Sequence, residues 1–453
     1  MPQADAQATL PIQELAVIPS VLTGWGGGAG APMSIVRPGG VESLRAGLEL
    51  AWRGAIARGM GRSYGDAAQL SRGLAIDTTR LKRVELDARA GVVTAQAGVT
   101  IRELLEALLP MGWMVPVVPG TQHVSVGGAI ASDIHGKNHG TAGTFGSHVE
   151  ALSLLTADGE LRELAPSSPD ALFEATLGGM GLTGVIAEAR IKLRPVSGAL
   201  LAVDADKVRS LDEALAALQA PGGTHRVAWL DLLCSRPGRG IVTRAEHIDT
   251  PDANARPTVK ARAAVPRRWP GGALRPSTVR AFNALRYGSA PRSERGHPES
   301  IGRHMFPLDA LDAWPRLYGP PGLLQYQLVV PAGAETVLEV AIERLRLDRI
   351  PCYLAVLKDF GPANNAPLSF PIQGWTLALD MPRAAPGLDR LLDALDELVA
   401  ESGGRVYLSK DARLRPEALK AMYPRLEEWR RVRDRADPAG LWRSDLALRT
   451  SLL

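Results

Sequence analysis

The sequence of 453 residues holds only two cysteines, Cys234 and Cys352, and they lie far apart. They form no CxxC pair and no metal-ligand spacing, so both read as buried thiols and no oxidising compartment is needed. Aromatic residues make up 5 % of the chain and do not alternate with basic ones, which argues against a stacking platform for single-stranded nucleic acid. No apolar run is long enough to span a bilayer. The opening MPQADAQATLPIQELAV lacks a basic segment followed by an apolar core, so it does not read as a secretory leader. The expected location is cytoplasmic or peripheral at the inner membrane, on either face. Neither sign of charge dominates: 52 Lys and Arg stand against 48 Asp and Glu, a net +4, with a pI near 9.1. That small surplus suits anionic substrates or a membrane surface and is weak support for nucleic acid. Internal repeats and low-complexity tracts are absent.

What the chain does have is clustered glycine. Pro119–Gly140 reads PGTQHVSVGGAIASDIHGKNHG, with small residues followed by His135, Lys137 and His139. Glycines let backbone amides turn sharply and approach a ligand, and a run of such amides suits a pyrophosphate. The order is neither that of a P-loop nor a GxGxxG turn. Two further glycine words flank it, Ala57–Asp66 (ARGMGRSYGD) and Leu177–Gly184 (LGGMGLTG). The first presents amides that would face those of the central stretch.

Length suggests two or three domains. Residues 1–20 read as a loose tail. Ser34–Arg37, the helical spacing of Val41, Leu44 and Leu48, and Gly54–Arg58 give a strand–helix–strand start. Thr100 and Glu103 form a capping box for a helix that buries Ile101, Leu104, Leu105 and Leu108. Asp158-Gly159 reads as a hairpin turn. After Pro195 the pattern changes to alternating strands such as Arg226–Leu233 and Leu324–Val330, with helices at Ser210–Leu218 and Ala334–Leu345. Residues 251–298, rich in Pro, Arg and Gly, read as a mobile basic insertion. Arg405–Asp411 reads as a strand entering a site, ahead of a helical, charged tail anchored by Tyr423, Trp429 and Trp442.

The three glycine words together resemble the flavin domain of the vanillyl-alcohol-oxidase family. Within it, DIHGKNHG, NNAPLSFPIQGW and YLSKDAR are similar to the branch that oxidises decaprenylphosphoryl-β-D-ribose. The resemblance runs from Leu22 to Leu453. It implies an α+β fold: an FAD-binding domain over 1–195, a substrate domain of antiparallel sheet plus helices over 196–404, and a segment, 405–453, returning to the first domain. It places FAD against Ala57, Arg58, Gly59, Met60, Gly61, Arg62, Ser63, Tyr64 and Gly65. From the central stretch it adds Pro119, Gly120, Thr121, Gln122, His123, Val124, Gly127, Gly128, Ala131, Ser132, Ile134, His135, Asn138 and Gly140, and from elsewhere Ile186 and Tyr407. Many relatives carry at the place of Arg62 a His that bonds covalently to the flavin. A guanidinium cannot form that link, so non-covalent FAD is implied.

The same resemblance puts the family's essential lysine at Lys410, with His135 as a second catalytic candidate. Substrate contacts fall on Tyr64, Lys137, Trp229, Gln325, Gln327, Lys358, Phe360, Thr376, Ala378 and Lys410. Alternation in LLQYQLVV turns Gln325 and Gln327 to one strand face and Tyr326 to the other. A lysine serves as a base only if burial or nearby cations depress its pKa from about 10.4; otherwise it acts as a fixed charge. Thr376 and Ala378 stand where the best-known relatives carry Asn and Cys, so that pocket wall is altered, and sensitivity to thiol-directed inhibitors there is lost. HxKxH resembles a metal pair, but only Asp133 could complete a ligand set nearby, and no metal is expected. The implied reaction is oxidation of a ribose 2-hydroxyl on a polyprenyl phosphate, with a keto-sugar reductase completing epimerisation to arabinose and a peripheral membrane contact. The alternatives are a soluble sugar or alditol oxidase that uses oxygen, and a non-enzymatic anion or nucleic-acid binder.

Overall fold

The structure, a computed structural model, describes residues 15–235, 238–249, 255–269 and 274–453. Strands β1 (Ile18–Leu22), β2 (Ala31–Val36), β3 (Ala55–Arg58) and β4 (Leu74–Asp77) form a sheet in the order β1-β2-β4-β3. β4 runs parallel to both neighbours. Helix α1 (Val41–Glu49) lies between β2 and β3 in the chain and buries Leu44. The loose-tail expectation for residues 1–20 is corrected at its end, where Ile18–Leu22 pairs antiparallel with Ala31–Ile35; residues 1–14 lie outside the described residues.

A second, antiparallel sheet follows, from β5 (Val84–Asp87), β6 (Val92–Gln96), β7 (Val149–Leu155), β8 (Leu161–Leu164) and β9 (Val185–Lys192), in the order β5-β6-β9-β7-β8. Helix α2 (Ile101–Leu108) starts on the capping box the sequence encodes. Thr100 Oγ1 accepts from Glu103 N at 3.2 Å, and the Glu103 carboxylate accepts from Thr100 N at 2.7 Å. Such a cap is worth about 1 kcal/mol. Its apolar stripe, Ile101, Leu104, Leu105 and Leu108, is fully buried.

The substrate-side sheet has eight strands: β10 (Leu200–Val208), β11 (His225–Asp231), β12 (Arg239–His247), β13 (Ser293–Ser300), β14 (Leu323–Pro331), β15 (Leu354–Phe360), β16 (Gly374–Pro382) and β17 (Arg405–Val406). Their order is β13-β10-β12-β11-β15-β16-β14-β17. Helices α4 (Leu211–Gln219) and α7 (Leu388–Glu401) pack on one face, where Tyr326 donates its hydroxyl to Asp396 at 3.0 Å. The opposite face looks toward the first domain. Register aligns its side chains in rows: Gln325, Asp380 and Leu354; Gln327, Ala378, Val356 and Trp229; Val329, Thr376 and Lys358. Between α4 and α7, in chain order, come α5 (Pro276–Ser289) and α6 (Thr336–Leu347).

Two expectations are corrected here. The 251–298 stretch is regular in its second half: Pro276–Ser289 is a helix, with Pro at its first position as helix starts favour, and β13 edges the large sheet. Its buried side mixes Val279 with Asn283, which donates to Asp231 at 2.9 Å, and this hid the periodicity. Residues 251–254 and 270–273 of that stretch lie outside the described residues. Strand character in Arg405–Asp411 stops at Val406, because the amides of Lys410 (2.9 Å) and Asp411 (3.1 Å) both turn back to Tyr407 O.

The last segment returns to the first domain. Ala55 N bonds Leu441 O at 2.9 Å, and Asp445 N bonds Gln69 O at 2.7 Å. Trp429 and Trp442 are fully buried. Arg449 clamps Asp66 and Asp411, each at 2.8 Å. Because Asp411 is buried, Arg449→Ala leaves a carboxylate without its cation. Loss of about 3 kcal/mol of stability is expected, within the range for one broken buried pair. Urea denaturation monitored by tryptophan emission measures it; an unchanged midpoint would show that the clamp contributes nothing.

Candidate active site

A cavity of about 290 Å³ opens between the first domain and the inner face of the large sheet. Of the expected cofactor residues, Ala57, Gly59–Tyr64, Pro119–Thr121, Val124, Gly127, Gly128, Ala131, Ser132, Ile134, His135, Ile186 and Tyr407 line it. The glycines are there because the walls touch. A Cβ on Gly59 would stand 2.1 Å from Ser125 Oγ, and one on Gly127 2.9 Å from Ala97 Cβ. Ser125 in turn caps the short helix α3 (Val126–Ala131) by accepting from Gly128 N at 3.3 Å. Arg62 lies flat over Trp25, 3.9 Å from the ring, and its Nε is buried without an acceptor. Two walls of bare backbone, an unspent guanidinium N–H and a ring-lined inner end fit FAD.

Six expected cofactor residues do not reach the cavity, each for a local reason. Arg58 spends its guanidinium on Thr23 O and Ala68 O, both at 2.8 Å. Gly65 abuts the last segment; a Cβ there would lie 1.9 Å from Asp411 O. Gln122 bridges Val259 through both ends of its amide, at 2.6 and 3.0 Å. Asn138 donates to Pro116 O at 2.9 Å. Gly140 packs against Gly361. His123 stands behind the lining beside Arg62 and Asp309, its pKa lowered by burial.

On the sheet side, Gln325, Gln327, Leu354, Val356, Lys358, Ala378 and Lys410 face the same space. Lys410 Nζ sits 3.9 Å from the Tyr64 ring centre. Burial lowers the Lys410 pKa to about 8, with Asp380 opposing the shift. Asp380 accepts from Gln325, and burial lifts its carboxyl to about 6. Lys358 is brought to about 7, first by burial and then by Lys410 and Lys137. Burial holds the Tyr64 phenol far above its ordinary range, so it stays neutral.

His135 is wedged among Phe360, Phe370 and Tyr407, with ring centres 4.8, 5.6 and 5.2 Å away. Gln327 Nε2 lies 3.0 Å from His135 Nε2 and 3.1 Å from Thr376 Oγ1. An amide N–H can only donate, so His135 Nε2 accepts and the ring proton sits on Nδ1, which has no partner. Burial, then Lys358, His139 and Lys410, push its pKa well below the usual imidazole value. With both its N–H groups committed, Gln327 offers only its amide oxygen.

Four expected substrate residues stand back from the lining. Lys137 Nζ donates to His304 O, and its pKa falls to about 8 through burial. Phe360 backs His135. Thr376 donates to Leu328 O at 2.9 Å while holding Gln327. Trp229 shares a row with Val356 but lies under the Arg286 guanidinium, 4.9 Å away.

Sequence reasoning missed several lining residues: Trp25, Asp309, Trp314, Met180 and Ser409. Met180 sits in the third glycine word and Ser409 in YLSKDAR, which pointed to them; the others carried no local signal. It also missed why the motif words occur together. Asp133, at φ 39°, accepts from Gly146 N (3.0 Å), Asn364 Nδ2 (2.7 Å) and Ser369 Oγ (2.5 Å). Asn364 and Ser369 belong to NNAPLSFPIQGW, so two distant words share one anchor.

Comparison with known proteins agrees with this geometry. Residues 32–165 match the family model described as FAD binding domain, and residues 378–450 match that of D-arabinono-1,4-lactone oxidase. The chain is 41 % identical over 451 residues to the decaprenylphosphoryl-β-D-ribose oxidase of Mycolicibacterium smegmatis, spanning 95 % of this chain and 97 % of that protein. An uncharacterized Streptomyces coelicolor protein is 39 % identical over 372 residues, 78 % of this chain and 100 % of the relative. The D-lactate dehydrogenase of Archaeoglobus fulgidus is 31 % identical over 170 residues, 36 % of this chain and 38 % of its own. With a FAD-binding fold, a glycine-walled cavity to receive the cofactor and near end-to-end similarity to a curated oxidase, the chain belongs to the FAD-dependent oxidoreductase family that includes decaprenylphosphoryl-β-D-ribose oxidase.

Proposed function

We propose that the protein oxidises the 2-hydroxyl of decaprenylphosphoryl-β-D-ribose to the 2-keto sugar, with non-covalent FAD as cofactor. The observation that carries this reading is Lys410, a lysine of depressed pKa facing the cavity, in a chain 41 % identical to the Mycolicibacterium smegmatis oxidase. FAD, when bound, supplies the hydride acceptor. The protein's part is to place the sugar and take the proton. Lys410 in its neutral form accepts the hydroxyl proton as the C–H bond breaks. Lys358, on the neighbouring row and neutral where Lys410 is neutral, donates an N–H hydrogen bond to that oxygen. The Gln327 amide oxygen accepts from a sugar hydroxyl, and Gln325 with Tyr64 bounds the other side. His135 acts through Gln327, holding its amide in one orientation. Ala57, Gly59–Tyr64 and the Pro119–Ser132 wall hold the cofactor. A separate keto-sugar reductase then completes epimerisation to arabinose, and the lipid-borne substrate calls for contact with a membrane.

A second reading rests on the D-arabinono-1,4-lactone oxidase match over residues 378–450: a soluble sugar or lactone oxidised with oxygen. An anaerobic absorbance spectrum separates the two. Bleaching of the flavin bands by lipid-linked ribose supports the first; bleaching only by soluble polyols or lactones, with recolouring in air, supports the second.

Two further outcomes follow from the site. Because Arg62 stands where a linking His would be needed, acid precipitation should release all flavin into the supernatant; yellow colour in the washed pellet contradicts that. Lys410→Ala should keep FAD yet slow flavin reduction by about 10²–10⁴-fold, and Lys410→Arg should not restore it, since guanidinium stays protonated. The reactive form is the free amine. Reduction should therefore rise with pH through about 8 and level off above it. A rate that instead falls above pH 8 in stopped flow would make Lys410 a fixed charge and not a base.

A further inference from the structure

On the far side of Trp25 from the flavin cavity lies a second concavity. Its floor is the loop Gly24–Gly28 against the turn Gly319–Gly322. These loops meet backbone to backbone: a Cβ on Gly322 would stand 2.1 Å from Gly26 O, and one on Gly26 2.7 Å from Leu323 O. Arg267, Arg268 and Arg316 surround the floor, and Trp269 closes it. Among the described residues no carboxylate lies within ion-pair distance of these three guanidinium groups. The acid on the same turn, Asp312, takes the Ala313 amide at 2.8 Å. Trp269 Nε1 is a buried N–H without an acceptor. The basic segment is held in place, since Val265 N bonds Asp312 O at 3.0 Å and Arg316 Nη1 bonds Val265 O at 2.9 Å. Unpaired positive charge, an orphan donor and a bare backbone floor call for an oxyanion.

A second surface feature lies on helix α5. Helix α5 is pinned to the sheet by Asn283 on Asp231 (2.9 Å), Arg280 on Leu233 O (3.0 Å) and Tyr287 on Val208 O (3.2 Å). Its outer side carries Phe282 and Leu285, 61 % and 71 % exposed and one helical turn apart. The aromatic row Trp314, Tyr318 and Tyr353 connects the two segments: Arg316 sits within the turn that holds the first two, and Tyr353 donates to Leu274 O just ahead of α5. Exposed apolar side chains together with unpaired guanidinium groups match a lipid interface.

We propose that the Arg267–Arg268–Arg316 cleft binds the phosphate of a lipid headgroup, with Phe282 and Leu285 entering the acyl layer beside it. The choice of a lipid over free phosphate leans on the reading that the substrate is lipid-borne; the cleft itself does not. The test uses the FAD-loaded full chain sedimented with phosphatidylcholine vesicles, with and without phosphatidylglycerol. In parallel, inorganic phosphate is titrated against tryptophan emission. Retention on the anionic vesicles alone, weakened by added salt, is expected. Arg267→Gln with Arg268→Gln should weaken it roughly thirtyfold, from about fivefold per surface cation. Phe282→Ser with Leu285→Ser should weaken vesicle binding and leave the phosphate titration unchanged. Flavin content, read from the flavin band, checks that both variants fold. Vesicle binding equal in parent and arginine variant overturns the cleft. Saturable phosphate quenching without vesicle retention overturns the lipid assignment. A dimer by light scattering that the Phe282/Leu285 variant dissolves puts a second copy on the helix and overturns it too. No arm measures turnover, so failure of the proposed reaction leaves the result readable.

Discussion

The buried carboxylate of Asp133 is the constraint on which the rest of the site depends. Burial raises its pKa, and hydrogen bonds from Ser369, Thr144, Asn364 and Gly146 pull it back. A buried group that is fully satisfied in this way rigidifies what surrounds it; partly satisfied, it would be a liability. Here it ties the central glycine stretch to a loop of the substrate domain and holds its own residue in a left-handed conformation. His135, two positions on, is thereby delivered into its aromatic cage. His139 reinforces the seam by accepting from Gly361 N at 3.0 Å. The cavity's two halves meet through side chains that no single segment contains.

Within that frame the proposed chemistry draws on lysines kept from water. Lys137, Lys358 and Lys410 repel one another or suffer burial, and each is lowered to between about 7 and about 8. This arrangement works against folding, because charged amines prefer solvent. It is offset locally by Asp380 and by cation–π contact with Tyr64, and globally by an extensive apolar core. The reward is an amine that can release and accept protons near neutral pH. The exchange of stability for reactivity is usual where a site must be poised before substrate arrives.

Local signals were legible in the sequence and long-range ones were not. The capping box at Thr100 and Glu103 involves residues three apart, and the structure keeps it bond for bond. Alternation in LLQYQLVV set Gln325 and Gln327 against Tyr326, as a pleated strand requires. The glycine words located the cavity wall, since close backbone approach leaves its mark in composition. What failed were residues whose role is decided by a partner far along the chain: Arg58 by Thr23, Gln122 by Val259, Asn138 by Pro116, Trp229 by Arg286. Nothing in the immediate neighbours of such a residue says where its hydrogen bonds go. Helix α5 was hidden for another reason. Its inner stripe of Val279, Asn283 and Tyr287 is broken by a polar residue while Phe282 and Leu285 face out, which blurs the pattern that marks a helix of a soluble core.

The return of the last segment to the first domain has a consequence for how the chain is made. Asp66 meets Arg449 across 383 residues. The edge of β3 is likewise completed by residues 441–443. At about 5–20 residues per second, a ribosome needs on the order of 20–80 s to travel from one to the other. For that interval the nascent nucleotide domain stands with its closing segment missing and its Trp429 and Trp442 sockets open. Cofactor capture and final compaction thus wait until residues 441–449 have been made, and the waiting half-domain is the species a chaperone would meet.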